Sequence, residues 1–207
     1  MTTRLILFGS GGHAKVVLEA LQAERPGVEV AILDDDPAAA SRSLLGHPVR
    51  GDRSWLEREW PRVRVIPAIG SNSARAELVE RLRESGRELE TVVHPAATVS
   101  PSALLGPGCF VAAGAVVNAE AVLEAGVIVN TGASVDHDCR IGLAAHIAPG
   151  ARLCGQVKVG ARSLVGTCSA VIPKIRIGSD AVIGAGSAVI ADVPDGGRVA
   201  GSPARPI

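Results

Sequence analysis

The chain has 207 residues with 21 basic and 21 acidic side chains, so its formal net charge is zero, and only 2% of it is aromatic. No basic stripe stands out and no apolar run reaches bilayer length, which argues against nucleic-acid and membrane partners. Charge is uneven along the chain: residues 1–93 hold 27 charged side chains and residues 94–207 only 15, which predicts two domains, 1–93 and 94–207. The opening stretch Met1–Phe8 lacks the long apolar core of a secretory signal, so a cytoplasmic location is expected.

Leu5–Phe8 is a short apolar run that reads as a buried parallel strand. Gly9-Ser10-Gly11-Gly12-His13-Ala14 follows, then a helical pattern through Val17, Ala20 and Leu21. The next run, Val28–Leu33, ends in Asp34-Asp35-Asp36. Strand, glycine turn, helix, strand and acid in this order describe a nucleotide-binding βαβ unit. Glycines let the backbone approach a phosphate, and a helix N-terminus supplies N–H donors and a positive dipole end.

A third run, Val63–Ile69, leads into Gly70-Ser71-Asn72 and a helix with Leu78 and Leu82 on one face. Leu89–Val93 reads as a last strand before the second domain. Ligands of such sheets bind beyond the carboxyl ends of the strands, here Gly11–His13, Asp34-Asp35 and Gly70-Ser71. Gly9–Ala14 also fits the dinucleotide fingerprint, but the unit is too short to hold a nicotinamide in the usual way, so a nucleotide sugar is the preferred ligand over NAD. The plainer alternatives are a helix-start histidine at position 13 and a solvated strand end at 34–36.

From Val99 to Val189 every sixth residue is a branched aliphatic, sixteen times without an insertion. The position two residues earlier is almost always small. Neither a helix nor a simple strand repeats every six residues; a hexapeptide parallel β-helix does. Each step makes one short strand and one corner, three steps close a triangular coil, and the aliphatics stack inside. A prism so narrow has little room for rings, which suits the absence of Tyr. Cys109 and Cys139 occupy the small slot, and no CxxC pair exists, so neither disulfide nor metal is expected of the four cysteines.

The repeat is richest in functional groups at Asn130-Thr131-Gly132-Ala133-Ser134-Val135-Asp136-His137-Asp138. A histidine between two carboxylates is held in one tautomer with its imidazolium stabilised, as a general base near neutral pH requires. A surface histidine in a polar turn is the alternative. His146 lies nine residues on, half a coil away, so the two belong to different faces of one chain. Side-by-side prisms could bring His146 of one to His137 of the next. Gly155 is one coil after His137 and stacks beside it, making its N–H a candidate oxyanion donor. Only His94, His137 and His146 lie in or beside the repeat, with no close histidine pair, so no metal site is expected.

The repeat, the Asn130-Thr131…Asp136-His137-Asp138 element and the tail Val199–Arg205 resemble hexapeptide-repeat acyltransferases with a left-handed β-helix. Gly9–His13, Leu33-Asp34-Asp35 and Ala68–Asn72 narrow the resemblance to sugar acetyltransferases of the PglD/NeuD type. That resemblance implies an α/β Rossmann-like nucleotide-binding domain followed by an all-β left-handed parallel β-helix. It implies a homotrimer with sites between subunits, transferring acetyl from acetyl-CoA to the 4-amino group of a nucleotide-linked amino-dideoxy sugar. His137 falls on the catalytic base and Asp138 on the acid that raises its basicity; the bacillosamine branch carries Glu there. Gly11, Gly12, His13, Asp34, Asp35 and Gly70 fall on sugar-nucleotide positions. His146, Gly155, Thr167 and Ala185 fall on the acetyl-CoA groove, although Thr167 and Ala185 are not that branch's residues. A sialic-acid-type O-acetyltransferase and a non-catalytic nucleotide-sugar sensor are the competing readings.

Overall fold

The computed structural model describes residues 5–58 and 63–207; Met1–Arg4 of the opening stretch, and 59–62 just before the third apolar run, lie outside the described residues. The first part is a mostly parallel sheet. Strands β1 (Leu5–Phe8), β2 (Val30–Leu33), β3 (Ser43–Leu44), β4 (His47–Gly51) and β5 (Arg64–Pro67) lie in the order β3-β4-β2-β1-β5. Only β3 runs antiparallel, as the first arm of a hairpin with β4. All four residues of β1 are buried, consistent with a central strand covered on both faces. Helices α1 (Gly12–Glu24) and α3 (Asn72–Glu84) follow β1 and β5; α2 (Ser54–Arg58) is a short turn after β4.

Leu89–Val93 is divided. Leu89 bridges Val65 at the edge of this sheet, whereas Val92–Val93 pairs with Phe110–Val111 as the first rung of a prism wall. An apolar run specifies burial and not the neighbour it will pair with, which is why one strand was expected here.

From Thr98 onward two-residue strands recur every six residues and pair in parallel with the strand eighteen residues on. They form three walls. The first contains Ser134–Val135 and Arg152–Leu153, the second Arg140–Ile141, and the third His146–Ile147 and Leu164–Val165. The aliphatics from Val111 to Val189 are all at most 3% exposed, and the small slot packs into the same column. The stack therefore buries one continuous core, coil on coil.

Corner geometry repeats as strictly. Every sixth residue from Gly108 to Gly186 has a positive φ, between 49° and 72°, whether glycine or not. In the corners from Gly114 to Gly186 its N–H donates to the preceding coil, to a carbonyl as from Asp138 to Ala119 (3.0 Å), except at Glu120, where the acceptor is the Ser102 hydroxyl (3.2 Å). The third wall ends differently: Arg198–Ala200 joins in parallel and Arg205–Pro206 folds back antiparallel upon it.

The two parts share a core. Phe110, Ala112 and Ile128 on the third wall pack with Leu18 and Leu21 of α1 and Ile66 of β5. The glycine turn before α1 and the Gly70 turn before α3 thereby face the coils that carry His146.

Candidate active site

A cavity of about 440 Å³ opens beyond the carboxyl ends of β1, β2 and β5. All six residues expected to bind a sugar nucleotide line it: Gly11, Gly12, His13, Asp34, Asp35 and Gly70. Gly9 enters the turn at φ +119°, and a Cβ there would sit 2.6 Å from the Ala68 carbonyl oxygen, so only glycine fits. Gly11 and Gly12 face open space instead. Gly11 caps α1 without a side chain, and the first turn carries no acid, so the helix's first N–H groups are left for an anion.

The two aspartates are already engaged. The backbone N–H and the hydroxyl of Ser10 donate to one oxygen of Asp34 (2.7 and 2.6 Å), and the Asp36 N–H to the other (2.9 Å). Asp34 thus shapes the glycine turn. Asp35 pairs with Arg53, whose Nε donates at 2.8 Å. Arg53 lines the cavity and was not expected; it follows β4, a strand with weak apolar patterning.

His13 is partly buried and stands edge-to-face against Phe110 of the prism, with ring centroids 5.4 Å apart. Its Nε2 has no partner among the described residues. Burial, then the nearby Arg75 cation, pulls its pKa down to about 4.

The second group stands at the corner after the first wall. Nδ1 of His137 donates to Asp138 at 2.8 Å, which leaves the Nε2 lone pair free. Asp138 reaches back because it occupies the left-handed corner position, φ +60°. Asp136 accepts from the His137 N–H (2.8 Å) and from Asn118 Nδ2 (3.0 Å), which fixes the turn. The Asp138 hydrogen bond, aided by the charge of Asp136, raises the His137 pKa. Gly155 lies against the ring: a Cβ on it would be 2.5 Å from both Cε1 and Nε2 of His137. Cys139 is close in sequence but buried, donating to the Cys154 carbonyl, and burial raises its thiol to about 11.

His146 lies on the third wall, mostly buried rather than exposed. Asn130 Nδ2 donates to its Nε2 at 3.0 Å, placing the ring proton on Nδ1. Burial first, then Arg75 and His13, lowers its pKa to about 4. It lines a groove of about 360 Å³ together with Gly70, which also lines the larger cavity. Thr167 and Ala185 stack one coil apart on the corner after this wall, with the Gly186 N–H donating to the Thr167 carbonyl (2.8 Å). One chain therefore joins the cavity, through Gly70, to the groove at His146, and separately places His137 with Asp138 and Gly155. Among the described residues no group of three His, Cys, Asp or Glu could hold a metal.

The family model for the PglD N-terminal domain matches residues 4–82. Over the whole chain, the structure is similar to the acetyltransferase domain of PglB from Neisseria gonorrhoeae FA1090 in complex with acetyl coenzyme A. Identity is 41%, TM-score 0.94, and coverage 100% of both chains. The chain belongs to the PglD-type sugar acetyltransferases. A second member, PerB from Caulobacter crescentus in complex with CoA and GDP-perosamine, is 44% identical with a TM-score of 0.90, covering 98% of this chain and 96% of that one. A third, the UDP-N-acetylbacillosamine N-acetyltransferase of Bacillus subtilis (strain 168), is 39% identical over 104 residues. That match spans 49% of this chain and 48% of the relative, about half of each. Within this PglD-type chain no described helix is long and apolar enough to cross a membrane.

Proposed function

We propose that this protein transfers acetyl from acetyl-CoA to the 4-amino group of a nucleotide-linked amino-dideoxy sugar, with His137 as general base. The observation that carries the reading is the His137–Asp138 pair, with Nδ1 committed to a carboxylate and Nε2 left free beside a glycine. The sugar nucleotide occupies the cavity beyond β1, β2 and β5, its phosphates over Gly11, Gly12 and the start of α1. Acetyl-CoA lies along His146, Thr167 and Ala185 of one chain and reaches Gly155 beside the His137 of a neighbouring chain.

The chemistry follows. The amine lone pair attacks the thioester carbonyl carbon while His137 Nε2 takes an amine proton. The oxyanion accepts a backbone N–H, for which Gly155 is the candidate. Collapse expels the CoA thiolate, which receives the proton from His137, and an amide remains. No covalent enzyme intermediate is required.

The acting unit is a homotrimer with shared sites. Gly70 links the sugar-nucleotide cavity to the groove at His146, while His137 of the same chain stands on another corner of the prism. A neighbouring chain's His137 completes the site.

The test is release of free CoA thiol from acetyl-CoA with UDP-, GDP- and dTDP-linked 4-amino sugars, with sialic acid alongside. Turnover on an amino sugar is expected. Turnover on sialic acid alone, or nucleotide-sugar binding without turnover, overturns the reading.

A further inference from the structure

Arg75 sits in the first turns of α3 with no exposed surface. Every guanidinium nitrogen is used, and no carboxylate is among its partners. Nε donates to the Gly126 carbonyl (2.8 Å); Nη1 to Ile69 and Gly70 (2.8 and 3.2 Å); Nη2 to Asn72 Oδ1 and the Ala144 carbonyl (2.8 and 2.7 Å). Asn72 in turn donates to the Arg162 and Ser163 carbonyls (2.9 and 3.1 Å). Gly126, Ala144 and Arg162 are the same left-handed corner of three successive coils. The two side chains thus grip three stacked turns from one side and the Gly70 turn from the other.

Burying a cation without a counter-ion is unfavourable, and an apolar side chain would join two packed surfaces at lower cost. What a guanidinium adds is direction, since its donors lie in a rigid plane. Here that plane relates two places that matter. Gly70 lines both the sugar-nucleotide cavity and the groove, and Ala144 lies two residues before His146 on the groove wall.

We propose that Arg75 is a positioning residue, which with Asn72 fixes the Gly70 turn against the coil bearing His146 so that the acceptor amine meets the thioester. This rests on the acetyl-transfer reading above. It touches neither substrate. It sets their separation, and a displacement of about 1 Å can cost about a hundredfold in rate.

The experiment compares Arg75→Lys and Asn72→Ala with the unmodified protein. Folding is checked by thermal melting, each substrate's binding is measured separately by calorimetry, and kcat is measured with both substrates saturating. The expected result is each Kd within about threefold, with kcat down about a hundredfold for Arg75→Lys and about tenfold for Asn72→Ala. If Arg75→Lys does not fold, Arg75→Gln decides, since Asn72 also lines the groove at His146. Unchanged kcat, or binding lost in step with kcat, overturns the assignment. An unmodified protein silent on every amino sugar sinks the acetyl-transfer reading and this inference with it, whereas an active one with unaffected variants sinks only Arg75.

Discussion

The imidazole of His137 occupies the space a side chain on Gly155 would need, 2.5 Å from that absent Cβ at both Cε1 and Nε2. Gly155 does not require a left-handed φ, so alanine there is conformationally allowed and its effect is purely steric. Gly155→Ala should keep the melting temperature, push the ring off Asp138 and lower turnover by about a hundredfold, the scale of a 1 Å misplacement. Full turnover in a coupled CoA-release assay would free Gly155 from this role.

His137→Ala should lose about two to four orders of magnitude in kcat, the usual contribution of a general base. Acetyl-CoA affinity, measured by calorimetry, should stay. A variant that still turns over removes His137 from the mechanism.

Asp138 sets where that base works. Its hydrogen bond lifts the His137 pKa above the ordinary 6.5. The base acts only when deprotonated, so activity falls as pH drops through that raised value. Asp138→Asn should move the acid limb of the rate profile to lower pH while also reducing the plateau, because the tautomer is no longer held. An acid limb that does not move contradicts the pairing. Measuring both proteins on one amino sugar separates this shift from titration of the substrate amine, which is common to both.

His13 and His146 predict an acid-sensitive fold. Both pKa values are lowered to about 4 by burial. The unfolded chain binds these protons near 6.5 and the folded one only near 4, so stability present above 6.5 is lost as pH falls between the two. The loss is of order a few kcal/mol in total. Melting temperature against pH should show that slope, and His146→Asn should flatten it. An equally steep slope in the variant would place the proton uptake elsewhere.

Val135 has no exposed surface inside the prism. Val135→Asp should abolish folding, because an unpaired buried charge costs several kcal/mol. Circular dichroism and sedimentation check this; a folded, assembled variant would contradict the packed interior.

The prism was legible because its inward positions recur at a fixed interval and one aliphatic type satisfies all of them. His137 was legible because its partners, Asp136 and Asp138, are neighbours in sequence. Arg75 was hidden: it occupies the inward face of α3 beside Ala76 and Val79, and its acceptors are carbonyls that only the folded corners bring together. Arg53 was missed for a similar reason, since only the β3–β4 hairpin carries it to Asp35. The left-handed corners left only a diluted signal: glycine fills six of the fourteen from Gly108 to Gly186, and residues as different as glutamate, arginine and lysine fill the rest.

The reversed strand at Arg205–Pro206 bears on how the edge of the third wall is closed. Each coil is a template for one more in parallel, so a bare end of the stack would invite the start of another chain, and growth would have no natural limit. On the third wall, a strand laid the opposite way, with a proline that offers no N–H, presents an edge that a further parallel strand cannot copy.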